Sequence, residues 1–172
     1  MKAWMLRKTS DLRRESEPLA MCDLPEPSPA AGEIVLRVSA CGVCHTELDE
    51  IEGRTPPPAF PVIPGHQVVG IVHALGTGAS LYGIGRRVGV GWIFSACGSC
   101  EYCRDGRENL CPDFRATGRD RNGGYAEYMA VPEAFVHPIP ALFSDAEAAP
   151  LLCAGAIGYR SLRLAQLGDG QS

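Results

Sequence analysis

The sequence EIVLRVS at residues 33–39 places Ile34, Leu36 and Val38 on one face of an extended backbone. Similar short apolar runs occur at residues 68–75, 88–94 and 125–131. Fourteen prolines and 20 glycines separate and punctuate such runs, far more than a helical bundle uses. The sequence therefore predicts a mainly β fold, in which glycine-rich turns join the strands of a small closed barrel.

The two ends of the chain differ from this β-rich middle. Residues 1–30 finish with the run PEPSP, which contains too much proline for a helix or a central strand. We expect this segment to cover the barrel or to lead into it.

A helical segment is predicted near the C-terminal end. The sequence SDAE at residues 144–147 is a capping box and marks a helix start. Pro150 is expected to interrupt the helix. A second helical stretch would then run from about Cys153 to Leu167 and end at Gly168 in a left-handed conformation.

Composition and charge exclude several classes of protein. The chain has 172 residues, 45% of them hydrophobic, which is enough for a buried core. Its formal net charge is −4, and isolated arginine pairs at 13–14 and 86–87 form no basic stripe, so we expect no nucleic-acid partner. No apolar run has the roughly 20 residues of a membrane span, and the first residues do not resemble a signal peptide. We expect a cytoplasmic protein.

Four of the eight cysteines lie within 15 residues and have the spacing C-x2-C-x2-C-x7-C. A loop with this spacing can direct four thiolates at one ion, which predicts a closed, structural zinc site. One alternative is an iron–sulfur cluster, because Pro112 follows the last cysteine, but ferredoxin-type runs have three residues before that cysteine rather than seven. Free or disulfide-paired thiols are the other alternative. The four residues are Cys97, Cys100, Cys103 and Cys111.

A second candidate site consists of Cys44, His66 and Cys153, which are far apart in the chain. Two cysteines and one histidine leave the fourth zinc position open, which is typical of catalytic zinc. Each residue also has an ordinary explanation: Cys44 and Cys153 as small buried side chains, and His66 as a turn histidine. The residues alone leave both interpretations open.

Four motifs together resemble zinc-dependent medium-chain alcohol dehydrogenases. In chain order they are GVCHTEL at 42–48, GHQVVG at 65–70, the four-cysteine run, and PLLCAG at 150–155. They have the order and approximate spacing found in that family, and the resemblance covers essentially the whole chain. It implies a GroES-like β-barrel with a structural-zinc lobe, and it implies that Cys44, His66 and Cys153 hold the catalytic zinc.

The resemblance also implies a reaction. Family members oxidise alcohols reversibly to aldehydes or ketones and pass hydride to NAD or NADP. Zinc acts there as a Lewis acid that stabilises the alkoxide. We therefore expect two zinc ions per chain, a nicotinamide cofactor in the full-length enzyme and a small alcohol or aldehyde as the partner molecule.

Three further residues match functional positions of the family. Thr46 matches the hydroxyl that takes the proton from the alcohol, although it could instead be the N-cap of a helix. His45 matches a position that contacts the cofactor pyrophosphate in some relatives, or it is simply an exposed histidine. Trp92 resembles an aromatic residue that narrows the substrate pocket, or it belongs to the barrel core.

Two residues depart from the family pattern. Gln67 stands where many relatives have a glutamate beside the metal, and an amide can orient a ligand but supplies no negative charge. Asp49 stands where a number of relatives use a histidine to pass the proton to solvent. The outer part of the proton relay would therefore need a different geometry or a water molecule.

The predicted domain organisation is a GroES-like catalytic domain at 1–150, with the zinc lobe at 95–113. Residues 151–172 are expected to begin the connection to a Rossmann domain that is absent from this chain. The glycines in the run GTGASL at 76–81 lack the nucleotide-binding pattern. We expect the chain alone to be inactive, and the full-length enzyme to be a homo-oligomer that contacts no membrane. A free-standing zinc-binding module and a polyol or formaldehyde dehydrogenase are the alternatives.

Overall fold

Nine strands make up most of the regular structure in the computed structural model, which describes residues 1–166, 168 and 170. In chain order they are β1 (Lys2–Leu6), β2 (Leu19–Asp23), β3 (Glu33–Gly42), β4 (Gln67–Leu75), β5 (Arg87–Val90), β6 (Ile93–Ser95), β7 (Arg115–Ala116), β8 (Tyr128–Pro132) and β9 (Val136–Pro138). The mainly β architecture predicted from the sequence is confirmed.

An antiparallel sheet of five strands forms the body of the fold, in the spatial order β8-β3-β4-β5-β9. The side chains of Ile34 and Leu36 are completely buried, as the pattern at 33–39 predicts. All five strands contribute to one apolar core, which is what a closed barrel requires. This core contains Ile34, Leu36, Val68, Val72, Val88, Val90, Phe94, Met129, Val131 and Val136.

Two predicted strands have different bounds in the structure. The run at 88–94 is divided between β5 and β6, because Thr117 binds the backbone between them: its N–H donates to the Trp92 carbonyl and its hydroxyl to the Gly91 carbonyl, both at 2.9 Å. The run at 125–131 becomes strand only from Tyr128. Residue 125 instead accepts a hydrogen bond from the Trp4 N–H through its carbonyl.

The N-terminal segment contains structure that the sequence analysis did not predict. Strands β1 and β2 pair in antiparallel register, from Lys2 opposite Asp23 to Leu6 opposite Leu19. Leu6 is fully buried and packs with Ile51 and Val62 in a second apolar cluster. The segment therefore covers the barrel, as expected, but does so as a two-stranded sheet.

Four α-helices occur among the described residues: α1 (His45–Ile51), α2 (Glu101–Arg104), α3 (Asp145–Pro150) and α4 (Ala156–Ala165). The predicted capping box at Ser144 is present and starts α3. Pro150 is the last residue of α3, and a π-helical turn, Leu151–Gly155, joins α3 to α4.

The predicted end of the last helix is wrong. The residue in the left-handed conformation is Gln166, with φ 54°, and it caps α4 two positions before Gly168. The predicted last helical residue, Leu167, lies outside the described residues. Among the residues described, no helix is both long and apolar enough to cross a membrane. The sheets of this part of the chain are all antiparallel, so it contains no doubly wound nucleotide-binding sheet.

Candidate metal centres

Three separate elements bring Cys44, His66 and Cys153 together. Cys44 is the N-cap of α1, His66 directly precedes β4, and Cys153 lies on the π-helical turn after α3. One ligand atom from each residue lies within 4.8 Å of the other two. This convergence could not be established from spacing, because it depends on how the barrel and the C-terminal helices pack.

His66 is held by a carboxylate that the sequence analysis did not identify. Its Nδ1 atom lies 2.6 Å from Oε1 of Glu47, and the two side chains are 1% and 2% exposed. The other oxygen of Glu47 accepts a hydrogen bond from the Cys44 backbone N–H at 2.7 Å. The signal in the sequence was the glutamate three residues after Cys44, at the N3 position of a capping box.

The donor set fits a zinc ion. Because Nδ1 faces Glu47, Nε2 is the nitrogen left for a metal, and it is buried without a hydrogen-bond partner. A buried nitrogen without a partner is costly unless something binds it. Two thiols and this nitrogen are ligands that zinc prefers, and three protein ligands leave one position open.

Gly65 allows the chain to present His66. Its φ is +96°, a conformation that favours glycine. A Cβ atom there would lie 2.6 Å from the Tyr125 ring and 2.8 Å from the Cys41 sulfur. Burial raises the pKa of the Cys41 thiol to about 12, so this cysteine packs as a neutral side chain.

Gln67 occupies a tight, buried position beside the three residues. Its side chain is 2% exposed and lies against Gly42, where a Cβ would come within 2.1 Å of the amide oxygen. Burial and the neighbouring Cys44 raise the pKa of Cys153, whereas a hydrogen bond from Gln67 opposes that increase. Gln67 thus provides a neutral hydrogen-bonding group, while the carboxylate of this site comes from Glu47.

Helix α1 carries Thr46, His45 and Asp49. Thr46 lies within the first turn of α1, since the N-cap is Cys44, and its Oγ1 atom is 3.5 Å from the Cys44 sulfur. The interpretation of Thr46 as the N-cap is therefore wrong. His45 is exposed and lies 3.6 Å from Asp49, whose carboxylate also pairs with Arg54.

A cleft of about 700 Å³ opens beside the three candidate ligands. Thr46, His66 and Cys153 line it, and the walls are largely apolar, with Trp92, Phe135 and Leu152 among the lining residues. The Trp92 and His66 rings meet edge to face, with centroids 4.9 Å apart. Trp92 therefore belongs to the cleft wall.

Glu50 is a second buried carboxyl group on α1. It is 1% exposed, and its Oε1 atom has no hydrogen-bond partner. Burial, reinforced by the charge of Glu47, raises the pKa of Glu50 to about 8, while the charge of Arg119 acts in the opposite direction. Glu50 is therefore largely protonated at neutral pH.

The four clustered cysteines also converge. Their sulfurs lie within 4.8 Å of one another, including 3.5 Å between Cys100 and Cys103 and 3.9 Å between Cys97 and Cys103. Four bonds of about 2.3 Å to a tetrahedral zinc would place sulfurs about 3.8 Å apart. All eight cysteines of the chain are free, so the disulfide alternative does not occur.

Backbone N–H groups point at the sulfurs of Cys97 and Cys111. The Ser99 and Cys100 N–H groups point at the Cys97 sulfur at 3.4 and 3.3 Å, and the Cys97 N–H points at Cys111 at 3.4 Å. The Ser99 hydrogen bonds, together with that of Cys100, lower the pKa of Cys97 to about 6. Strands β6 and β7 pair at the base of this lobe and hold its ends together.

Comparison with known proteins identifies the family of this domain. The sequence profile of the alcohol dehydrogenase GroES-like domain matches residues 30–141. The chain belongs to the zinc-type medium-chain alcohol dehydrogenase family. It corresponds to the family's N-terminal, GroES-like domain, and the predicted barrel class is thereby confirmed.

The relatives of this GroES-like domain are about twice its length. A probable alcohol dehydrogenase AdhA from Mycobacterium tuberculosis is 48% identical over 99% of the chain, which spans 50% of that protein. A cinnamyl alcohol dehydrogenase from Sorghum bicolor has a similar structure, with a TM-score of 0.86 and 32% identity over 99% of the chain and 49% of its own. Acetophenone reductase from Geotrichum candidum, solved in complex with NAD, has a TM-score of 0.83 and 28% identity. The match covers 97% of this chain and 48% of the reductase.

Proposed function

We propose that this chain is the metal-binding catalytic half of a zinc-dependent alcohol dehydrogenase. The activity would be the reversible oxidation of an alcohol to an aldehyde or ketone. The observation that carries the proposal is the buried Nε2 atom of His66, which has no hydrogen-bond partner, in a residue that lies close to two thiols and lines a cleft of about 700 Å³. A purely structural zinc site needs neither an open position nor an adjoining cleft.

Cys44, His66 and Cys153 would hold the catalytic zinc, which supplies Lewis acidity toward the alcohol oxygen when bound. Glu47 fixes the His66 tautomer and leaves Nε2 as the ligand atom. Cys97, Cys100, Cys103 and Cys111 would hold a second, structural zinc. Two ions per chain follow from these two sets of ligands.

Thr46 is the proposed proton acceptor. Its hydroxyl lies in the cleft wall beside the Cys44 sulfur, within reach of a small molecule at the open position. The Asp49 carboxylate pairs with Arg54 and with the exposed His45. Transfer of a proton from Thr46 to solvent through these residues would therefore need a water molecule. We assign His45 to the cofactor side because it is exposed at the N-terminal end of α1.

The cleft favours alcohols with a hydrocarbon body over polyols. Most of the lining is apolar, and Trp92, Phe135 and Leu152 supply few hydrogen-bond partners for additional hydroxyl groups. The polar side chains of the lining include Glu108, Asn109 and His137. We accordingly prefer a monohydric alcohol as the substrate of the complete enzyme, and a polyol or formaldehyde dehydrogenase is less consistent with these walls.

The rest of the enzyme is also a proposal. We place the catalytic domain at 1–150, the zinc lobe at 95–113 and the connection to a nucleotide-binding domain at 151–172. NAD or NADP would bind in the second half, and the structure of the similar acetophenone reductase is a complex with NAD. We also predict that the full-length enzyme is homo-oligomeric and cytoplasmic.

Metal analysis of three proteins tests the proposal. The wild-type chain should bind about two zinc ions, and the more open site should release its ion first to a chelator. Cys44→Ser should lose the easily chelated ion, whereas Cys100→Ser should lose the other. A fully metallated wild-type chain that contains only the four-sulfur ion would contradict the proposed function.

A further inference from the structure

Trp92 forms the part of the cleft wall that adjoins the proposed zinc histidine. Its ring meets His66 at an interplanar angle of 78° and lies 6.3 Å from the Phe114 ring, centroid to centroid. Its backbone carbonyl is fixed by the hydrogen bond from Thr117. Because a tryptophan ring is large, its orientation decides how much of the cleft a ligand can occupy next to the metal position.

A guanidinium group lies over the same ring. The Arg119 Cζ atom is 5.7 Å from the Trp92 centroid, which is within the range of a cation–π contact. Asp120 holds the guanidinium through two hydrogen bonds, 3.2 Å from Nε and 2.9 Å from Nη2. Asp120 is itself anchored, since it accepts the Ala116 N–H at 2.7 Å.

The position of Arg119 is also supported electrostatically. The Arg119 side chain is 29% exposed, whereas that of Asp120 is 8% exposed, so the pair is only partly screened by solvent. The charge of Arg119 also acts on the buried Glu50 of α1. Arg119 thus acts on the carboxyl group of Glu50 and contacts the aromatic wall of the cleft.

These contacts form a short series from the surface to the site: Asp120 holds Arg119, Arg119 covers Trp92, and Trp92 packs against His66. We propose that Arg119 is a positioning residue that sets the width of the cleft. By fixing the Trp92 ring against His66, it limits the size of the alcohol that reaches the metal position. This inference rests on the proposed function.

Fluorescence tests directly whether Arg119 fixes the Trp92 ring. The chain has two tryptophans, so Trp4→Phe leaves Trp92 as the only one. In this background, Arg119→Gln should increase acrylamide quenching of Trp92 about two-fold, because the ring loses its cationic cover. Arg121→Gln is the matched control, since its side chain is exposed and bonds only to the Asp120 carbonyl. It should leave quenching unchanged.

Ligands of different size test whether Arg119 limits what reaches the metal position. Imidazole and 4-phenylimidazole are small and bulky probes of an open metal position, and their binding to the cobalt-substituted chain can be followed by visible absorption. Arg119→Gln should shift the affinity ratio toward 4-phenylimidazole by roughly 3- to 10-fold. Arg119→Lys keeps the cation but loses the planar fork, so it should restore part of the wild-type ratio.

The outcomes separate this inference from the proposed function. If wild-type chain binds neither probe, the proposed function falls and the inference falls with it. If both probes bind but Arg119→Gln changes neither quenching nor the affinity ratio, only the role of Arg119 is overturned. The same holds if Arg121→Gln changes the ratio equally, or if Arg119→Lys folds and resembles Arg119→Gln in every readout.

Discussion

Glu47 and Glu50 lie one turn apart on α1 and are both almost fully buried, yet their surroundings differ. Oε1 of Glu47 lies 2.6 Å from Nδ1 of His66, and its other oxygen accepts the N–H of Cys44. Glu50 has no hydrogen-bond partner for Oε1. A buried carboxyl group without a hydrogen-bond partner favours its neutral form, which agrees with the raised pKa of Glu50.

Glu47→Gln should weaken zinc binding at the open site roughly 10- to 100-fold, because the amide supplies no charge to His66. The four-cysteine site should be unaffected. Competition with a chromophoric chelator measures both affinities. Glu52→Gln is the control, since Glu52 pairs with Arg54 near the surface at the end of the same helix. Equal losses at the two sites would show a general folding defect and contradict the specific role of Glu47.

Glu50→Gln should change how stability depends on pH. Glu50 binds its proton more tightly in the folded chain, where its pKa is about 8, than at its ordinary value of 4.5. Its contribution to wild-type stability is therefore complete below about pH 4.5 and is lost as pH rises through about 8. The stability advantage of Glu50→Gln should grow by roughly 2–5 kcal/mol over that window and then level off.

Urea unfolding of the zinc-loaded chain at several pH values measures this difference. Glu17→Gln, a change at an exposed carboxylate, is the control and should show no such trend. A pH-independent difference between Glu50→Gln and wild type would mean that Glu50 is ionised in the folded chain.

At the scale of elements, the C-terminal helices deliver the third candidate ligand. Ala148 and Ala149 of α3 are buried and pack with Val69 of β4, which fixes α3 against the strand that follows His66. The π-helical turn then carries Cys153 toward the site. Small side chains permit this close approach between helix and sheet, so the ligand distance depends on α3 remaining in register.

Ser144→Ala should therefore affect both stability and metal affinity. The Ser144 hydroxyl accepts the Glu147 N–H at 3.3 Å, and the Glu147 carboxylate accepts the Ser144 N–H at 2.9 Å. Loss of the cap should cost about 1 kcal/mol of unfolding free energy. The control, Ser161→Ala, removes a hydroxyl that bonds only within exposed α4. Denaturant unfolding that gave the same small change for both variants would contradict a role for the cap.

At the scale of the whole molecule, the barrel and the four-cysteine lobe depend on different forces. The barrel has an extensive apolar core, whereas α2, within the lobe, has no buried residue. The lobe has little apolar area to stabilise it, so its folded form should depend on the metal.

Removal of both metals should therefore unfold one part of the molecule and spare the other. Amide hydrogen exchange should become fast in residues 97–111 and stay slow in β3 and β4. Cys100→Ser should produce the same local change while the open site retains its metal. Fast exchange throughout the barrel of the metal-free chain would show that the two parts are not independent.

Features determined by neighbours in the chain were accessible from the sequence. The apolar face of residues 33–39, the capping box at Ser144 and the convergence of four closely spaced cysteines each involve short segments whose geometry is locally restricted. For the same reason the barrel class could be predicted. The end of α4 at Gln166 could not, because a left-handed glutamine is disfavoured locally.

Only the tertiary structure decided what surrounds the open site. Cys44, His66 and Cys153 meet because the end of β3, the start of β4 and the turn after α3 are packed together, and no local spacing encodes that. The pairing of Glu47 with His66 and the contact of Arg119 with Trp92 have the same origin. Sequence limits which side chains can act, but distances between remote side chains are set by strand register and core packing.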